Sequence, residues 1–92
     1  MISIKGKSLF AFANDIADGY VTVNALVLKP LDAESLKGLY HQIIKVQNQI
    51  RGERFPFNEI DAIRTRNLRL QRLHSAVFVI KSFARERGIK QL

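Results

Sequence analysis

Between Asn58 and Gly88 one helical repeat runs through about a third of the 92-residue chain, and everything else must fit around it. Ile63, Leu70, Leu73, Val77, Ile80 and Ala84 form a stripe at helical spacing, while Leu68, Val79 and Phe83 point away from that stripe. Past His74 such a helix is apolar on two sides and has to be sandwiched between neighbours. Before His74 its character changes: Arg66, Arg69 and Arg72 recur every third residue, and no acid occurs between Asp61 and Glu86. Neighbouring cations at that spacing repel by roughly 0.2–0.5 kcal/mol per pair, so a helix that needed only solubility would interleave glutamates. Arg66 falls inside the apolar stripe itself, where it snorkels, meets a carboxylate, or marks the end of the core contact. Length sharpens the constraint. About 30 helical residues span about 45 Å, against a diameter of roughly 30 Å and a radius of gyration near 12 Å for a compact domain of this size. The helix is expected either to break, near Asn67, or to project into a partner, and a homodimer is the simplest arrangement that buries the excess.

Composition matters here mainly for what it excludes. With 47% hydrophobic and 25% charged residues the chain has the balance of a folded protein, and its length suits one domain over residues 1–92. There is no Cys, which removes disulfides, thiolate chemistry and Cys-based zinc sites together and fits a reducing compartment. The apolar run from Leu9 to Ala13 is stopped by Asn14 and Asp15, too short for a signal peptide, and Ala76 to Ile80 is cut off by Lys81. A cytoplasmic protein without membrane insertion is the expectation. The net charge of +7 is unevenly placed. Residues 1–50 hold five Lys and four acids, about +1; residues 51–92 hold eight Arg, two Lys and four acids, about +6.

Taken in order, Ile2, Ser3 and Ile4 read as a short strand before Gly6. Gly6-Lys7-Ser8 matches only the end of a phosphate-binding loop, whose first glycine would fall at Met1. Over residues 8–18 two patterns compete. Ser8 caps a helix with Leu9, Phe12, Ala13 and Ile16 on one face and Gly19 as its left-handed stop, or the segment returns as a strand on Ile2 to Ile4. Tyr20 to Leu28, rich in Val and closed by Pro30, is the strongest strand candidate in the chain. Asp32 is the expected N-cap of a second helix, with Leu31 and Leu36 as a hydrophobic staple. Leu36, Leu39, Tyr40, Ile43, Ile44 and Ile50 give that helix its face, and Gly38 interrupts it with a residue about 1 kcal/mol worse than Ala at a helix interior. Gly52 ends it and Asn58 is the expected cap of the long helix. Gly88 closes the long helix, with Ile89 packing back as in a Schellman motif. The expected fold is a mostly helical α+β domain of order β-α-β-α-α. A strand–helix–strand unit over 1–29 packs on an antiparallel hairpin of helices over 32–51 and 58–88, and the whole is dimeric.

Within that fold, Gly19-Tyr20-Val21-Thr22-Val23-Asn24 after a helix resembles the G-x-V-x-V-N-G segment of the alpha-L RNA-binding domain. Ala25 replaces the family's final glycine, and the preceding helix lacks the arginines such domains use. What the resemblance implies is a strand at Val21 to Val23 and contact with RNA.

No catalytic, cofactor or metal site is expected. His41 and His74 are isolated, and His41 is followed by Gln-Ile-Ile-Lys rather than by a zinc-binding helix pattern. Asp15 and Asp18, one helical turn apart, lack a third ligand for a cation. The remaining function is binding. Arg51, Arg54, Arg64, Arg66, Arg69 and Arg72 are the candidate contacts to DNA or RNA phosphates, because the planar guanidinium donates two hydrogen bonds to one phosphate. Phe55 and Phe57, between two arginines, either stack on bases or close the bottom of the helical hairpin. The alternative is a homo-oligomeric interaction module whose basic face is solvated or meets an acidic protein.

Overall fold

The computed structural model describes residues 3–4, 7–54, 57–89 and 92, which form a short antiparallel hairpin followed by four helices. β1 (Ser3–Ile4) pairs with β2 (Lys7–Ser8), with Ser3 opposite Ser8 and Ile4 opposite Lys7; Ile2 of the expected strand lies outside the described residues. Ser8 then starts α1 (Leu9–Ala17), its hydroxyl accepting a hydrogen bond from the Ala11 N–H at 3.1 Å. Over residues 8–18 the helix is thus the pattern adopted, and the strand that pairs back is confined to Lys7–Ser8 ahead of it. Gly19, at φ 83°, closes α1 with a Schellman motif: its N–H donates to the Ile16 carbonyl at 3.2 Å and that of Tyr20 to the Asp15 carbonyl at 2.9 Å. Of the Gly6-Lys7-Ser8 sequence, Lys7 pairs with Asp15 and Ser8 caps α1, while Gly6 lies outside the described residues.

The segment from Tyr20 to Leu28 is not a strand. Residues 21–24 have no regular structure, and α2 (Ala25–Leu28) is a single helical turn. Asn24 caps this turn, its Oδ1 accepting from the Val27 N–H at 3.0 Å. A strand needs a ladder partner for its backbone groups, and this segment runs beside a helix, which offers apolar side chains but no free N–H or C=O groups. Val23, Leu28 and Leu31 are buried in the core while Leu26 is exposed, a spacing that no alternating strand gives. The strand–helix–strand unit is thus replaced by hairpin, helix and strap, and Asn24 holds a helix cap where the alpha-L resemblance implies a strand end.

α3 (Ala33–Gly52) begins as its sequence signals predict. Asp32 accepts a hydrogen bond from the Ser35 N–H at 2.7 Å, and both Leu31 and Leu36 are buried. That N–H lies close enough to hold the Asp32 carboxyl below its ordinary pKa. α4 (Ile60–Glu86) follows as an antiparallel neighbour, with Tyr40 beside Lys81 at one end and Ile50 sharing a cavity with Ala62 and Thr65 at the other. Its N-cap is Glu59, without a side-chain bond, rather than Asn58. The Schellman ending holds as the sequence predicts: the Gly88 N–H donates to the Arg85 carbonyl at 3.1 Å and the Ile89 N–H to that of Ala84 at 2.9 Å.

α4 does not break near Asn67. Its 27 residues are continuous, which at about 1.5 Å per residue is about 40 Å. The molecule accommodates this by being elongated, 45 × 25 × 20 Å with a radius of gyration of 13.7 Å. Every buried α4 residue lies at or beyond Leu73, namely Leu73, Ala76, Ile80 and Ala84, while Ile63, Leu70 and Val77 are half-buried. α1 packs on both α3 and α4 and completes the core, whose largest wholly enclosed side chains include Leu28, Leu36, Leu39, Ile43, Leu73 and Ile80. At Gly38 α3 comes close to α1: a Cβ there would sit 2.6 Å from Leu9 Cδ1.

Candidate polyanion-binding surface

The six candidate arginines divide three ways. Arg72 Nη1 donates to the Ala17 carbonyl at 3.1 Å, and its guanidinium lies so close to Gly19 that a Cβ there would be 2.9 Å from Arg72 Cζ. Arg69 Nε is 3.2 Å from Asp18 Oδ1. Two rungs of the ladder therefore hold the C-terminal end of α1, where unpaired carbonyls and the helix dipole concentrate negative charge. Asp15 and Asp18, weighed as cation ligands, meet Lys7 and Arg69 instead.

Arg54, Arg66 and Arg69 come together around a cavity of about 410 Å³ at the end of the α3–α4 hairpin where link 53–59 joins the two helices. Arg66 is half-buried there, and Glu53 and Asp61 line the same cavity, two carboxylates among three arginines. Arg51 and Arg64 stand outside it and are exposed. Phe57 is 67% exposed and so does not close the hairpin; Phe55 lies outside the described residues.

Arg87, which falls outside the six, makes the same kind of contact as Arg72. It donates to the carbonyls of Leu31 and Lys29, the latter at 3.5 Å, and its guanidinium lies 5.1 Å from the Phe83 ring centre. Positions 69, 72, 76, 83 and 87 fall on one side of α4, so the arginines at both ends of this stripe pin the strap of residues 18–31. The sequence carries that signal only as a helical pattern, and nothing local says that the stripe meets carbonyls.

With those arginines committed to the fold, a different surface carries the free positive charge. α3 has no acid between Glu34 and Glu53, and α4 has none between Asp61 and Glu86. Lys37, Lys45, Arg51, Arg64, Lys81 and Arg85 are exposed along these two runs. Tyr40 sits among them, half-buried, with Lys81 Nζ 5.7 Å from its ring centre and the His41 ring at 5.7 Å, tilted by 60°. Lys45 Nζ lies 5.6 Å over the ring of Phe10. Both lysines remain exposed, and cation–π contacts at exposed sites are weak. Both histidines are exposed.

No family model matches the chain, and no curated protein or solved structure shows significant similarity to it. No described helix is long and apolar enough to cross a membrane.

Proposed function

We propose that this protein is a non-enzymatic basic binding module that holds the phosphate backbone of a nucleic acid through exposed cations of α3 and α4. The observation that carries the proposal is the acid-free pair of helical runs, 35–52 and 62–85, with seven exposed cations between them, of which Arg72 is bonded to a backbone carbonyl, that of Ala17. A solvated helix surface normally mixes both signs; a surface of one sign raises the local potential and attracts polyanions. Arg51 and Arg64 are the members of the original set that serve this role, with Lys37, Lys45, Lys81 and Arg85 added; Arg54 stands beside Glu53 and Asp61 in the link between the helices. Arg69 and Arg72 support it indirectly by fixing α1 against α4. Backbone contact of this kind reads charge, not base sequence.

A salt titration tests the proposal. Affinity for a labelled oligonucleotide should fall linearly on a log–log plot against salt, and absence of binding at about 50 mM salt would remove it. A second proposal, a homo-oligomeric interaction module, draws support from the exposed apolar side chains Tyr20, Leu26, Leu68 and Phe78. Light scattering at several concentrations separates the two, since a monomer that still binds polyanions leaves only the first.

A further inference from the structure

We infer that the ligand of this surface is a single-stranded nucleic acid, seated on Tyr40 with its phosphates on Lys81, Arg85 and Lys45. The inference rests on the polyanion-binding proposal above and narrows it to a site and a ligand class. Two shallow depressions meet at Tyr40: one of about 560 Å³ lined by Lys81, Ala84 and Arg85 among others, and one of about 640 Å³ lined by His41, Ile44 and Lys45. Among the described residues no Asp or Glu lines either of them. The cavity at the linked end of the hairpin has Glu53 and Asp61 among its arginines, and the groove beside residues 19–23 has Arg72 alone, already bonded to Ala17.

The chemistry of the Tyr40 site is that of a strand with splayed bases. Cations spaced along a shallow track follow a backbone, and an aromatic ring between them offers a face on which a base stacks whatever its identity. In a duplex the bases already stack on one another and that face has no partner, so the ring adds affinity only for single strands. Lys81 covers the Tyr40 ring in the free protein and is exposed, so drawing it to a phosphate uncovers the ring without opening the core.

The test uses the full chain with a labelled single-stranded 20-mer, DNA and RNA in parallel, against the duplex of the same sequence at about 50 mM salt. The single strand should bind more tightly than the duplex. K81Q/R85Q should weaken single-strand binding and reduce its log–log salt slope by about 1.4, two contacts at about 0.7 each. Y40L should lose about 5- to 100-fold, the range of base–aromatic stacking, while Y40F retains affinity. The chain has no Trp, so Y40W supplies a single indole whose emission should quench on addition of the strand; this readout stands even if Y40L fails to fold. Equal affinity for duplex and single strand overturns the inference. So does loss of binding in R51Q/R64Q with Y40F-like affinity in both Y40L and K81Q/R85Q, a result that leaves the general proposal intact. Binding to neither strand form overturns both. Competition by polyglutamate as strong as by the oligonucleotide, unaffected by Y40L, identifies an acidic protein as the partner and also overturns the inference.

Discussion

Replacing Arg69 and Arg72 by glutamine should destabilise the protein, whereas the same change at Arg64 should not. Arg72 gives a charged donor to a backbone carbonyl at 3.1 Å. Hydrogen bonds to charged groups contribute about 1.5–3 kcal/mol when buried; Arg72 is exposed on its outer side, which brings this to about 1 kcal/mol. A cation at the end of α1 adds about 0.3–1 kcal/mol through the helix dipole. The Arg69–Asp18 pair, at 3.2 Å with side chains 25% and 43% exposed, contributes about 0–1 kcal/mol. The double variant R69Q/R72Q is then about 1.3–3 kcal/mol less stable, and at about 4–8 °C per kcal/mol for a chain of this size its Tm falls by about 5–24 °C. R64Q should stay within about 0.5 kcal/mol of the parent. Thermal melts followed by circular dichroism at 222 nm, with oligonucleotide affinity measured on the same samples, give both quantities. A double variant that melts with the parent yet no longer binds would refute the division of the ladder and return Arg69 and Arg72 to the ligand.

Three other perturbations probe the frame that presents the surface. Ala at Gly38 gains about 1 kcal/mol in helix propensity but meets Leu9 Cδ1 at 2.6 Å, an overpacking that costs typically 1–3 kcal/mol; urea melts should find G38A neutral or destabilising alone and stabilising in an L9A background, and equal effects in both would discard the contact. Because the Ser35 N–H lowers the Asp32 pKa, the stability this carboxylate adds is fully present above its unfolded value of 3.8 and is lost as pH falls through the lower folded value. D32N keeps an oxygen acceptor for the cap and should melt near the parent at pH 7 while losing that part of the acid limb; D32A should be weaker at pH 7 as well. G19A forces a side chain into φ 83° and onto Arg72, and should lower Tm more than an Ala placed at the open position Gly52.

What could be read from the sequence was what is decided within a few residues. Ser8, Asp32, Gly19 and Gly88 act as caps through bonds that reach no further than five positions along the chain. The apolar stripe of the long helix was legible for the same reason, and its division near His74 matches where burial begins. The strap was misread because Val-rich sequence states a preference for extended backbone but cannot supply the neighbouring strand, and here the neighbour is a helix. Whether α4 breaks near Asn67 or projects unbroken stays open in the sequence, because helical periodicity says nothing of overall shape, and the molecule proves to be 45 Å long and 25 Å wide. The ladder was read as surface chemistry because its partners, Asp18 and the Ala17 carbonyl, lie more than 50 positions away and the second of them is backbone, which no side-chain pattern records.

The pins on the strap also bear on the order of folding. Arg72 and the Ala17 carbonyl are 55 residues apart in sequence, and Arg87 and the Leu31 carbonyl are 56 apart. α3 and α4 are joined by the short link 53–59, so their pairing closes the smaller loop and comes first, while the pins close large loops against greater chain entropy. Contacts made after the barrier affect escape from the native state and leave its formation unchanged. In a chevron plot R72Q and R87Q should raise the unfolding limb and leave the refolding limb in place; a displaced refolding limb would put the pins in the transition state. On this account the arginines set the lifetime of the folded molecule, not the speed at which it forms.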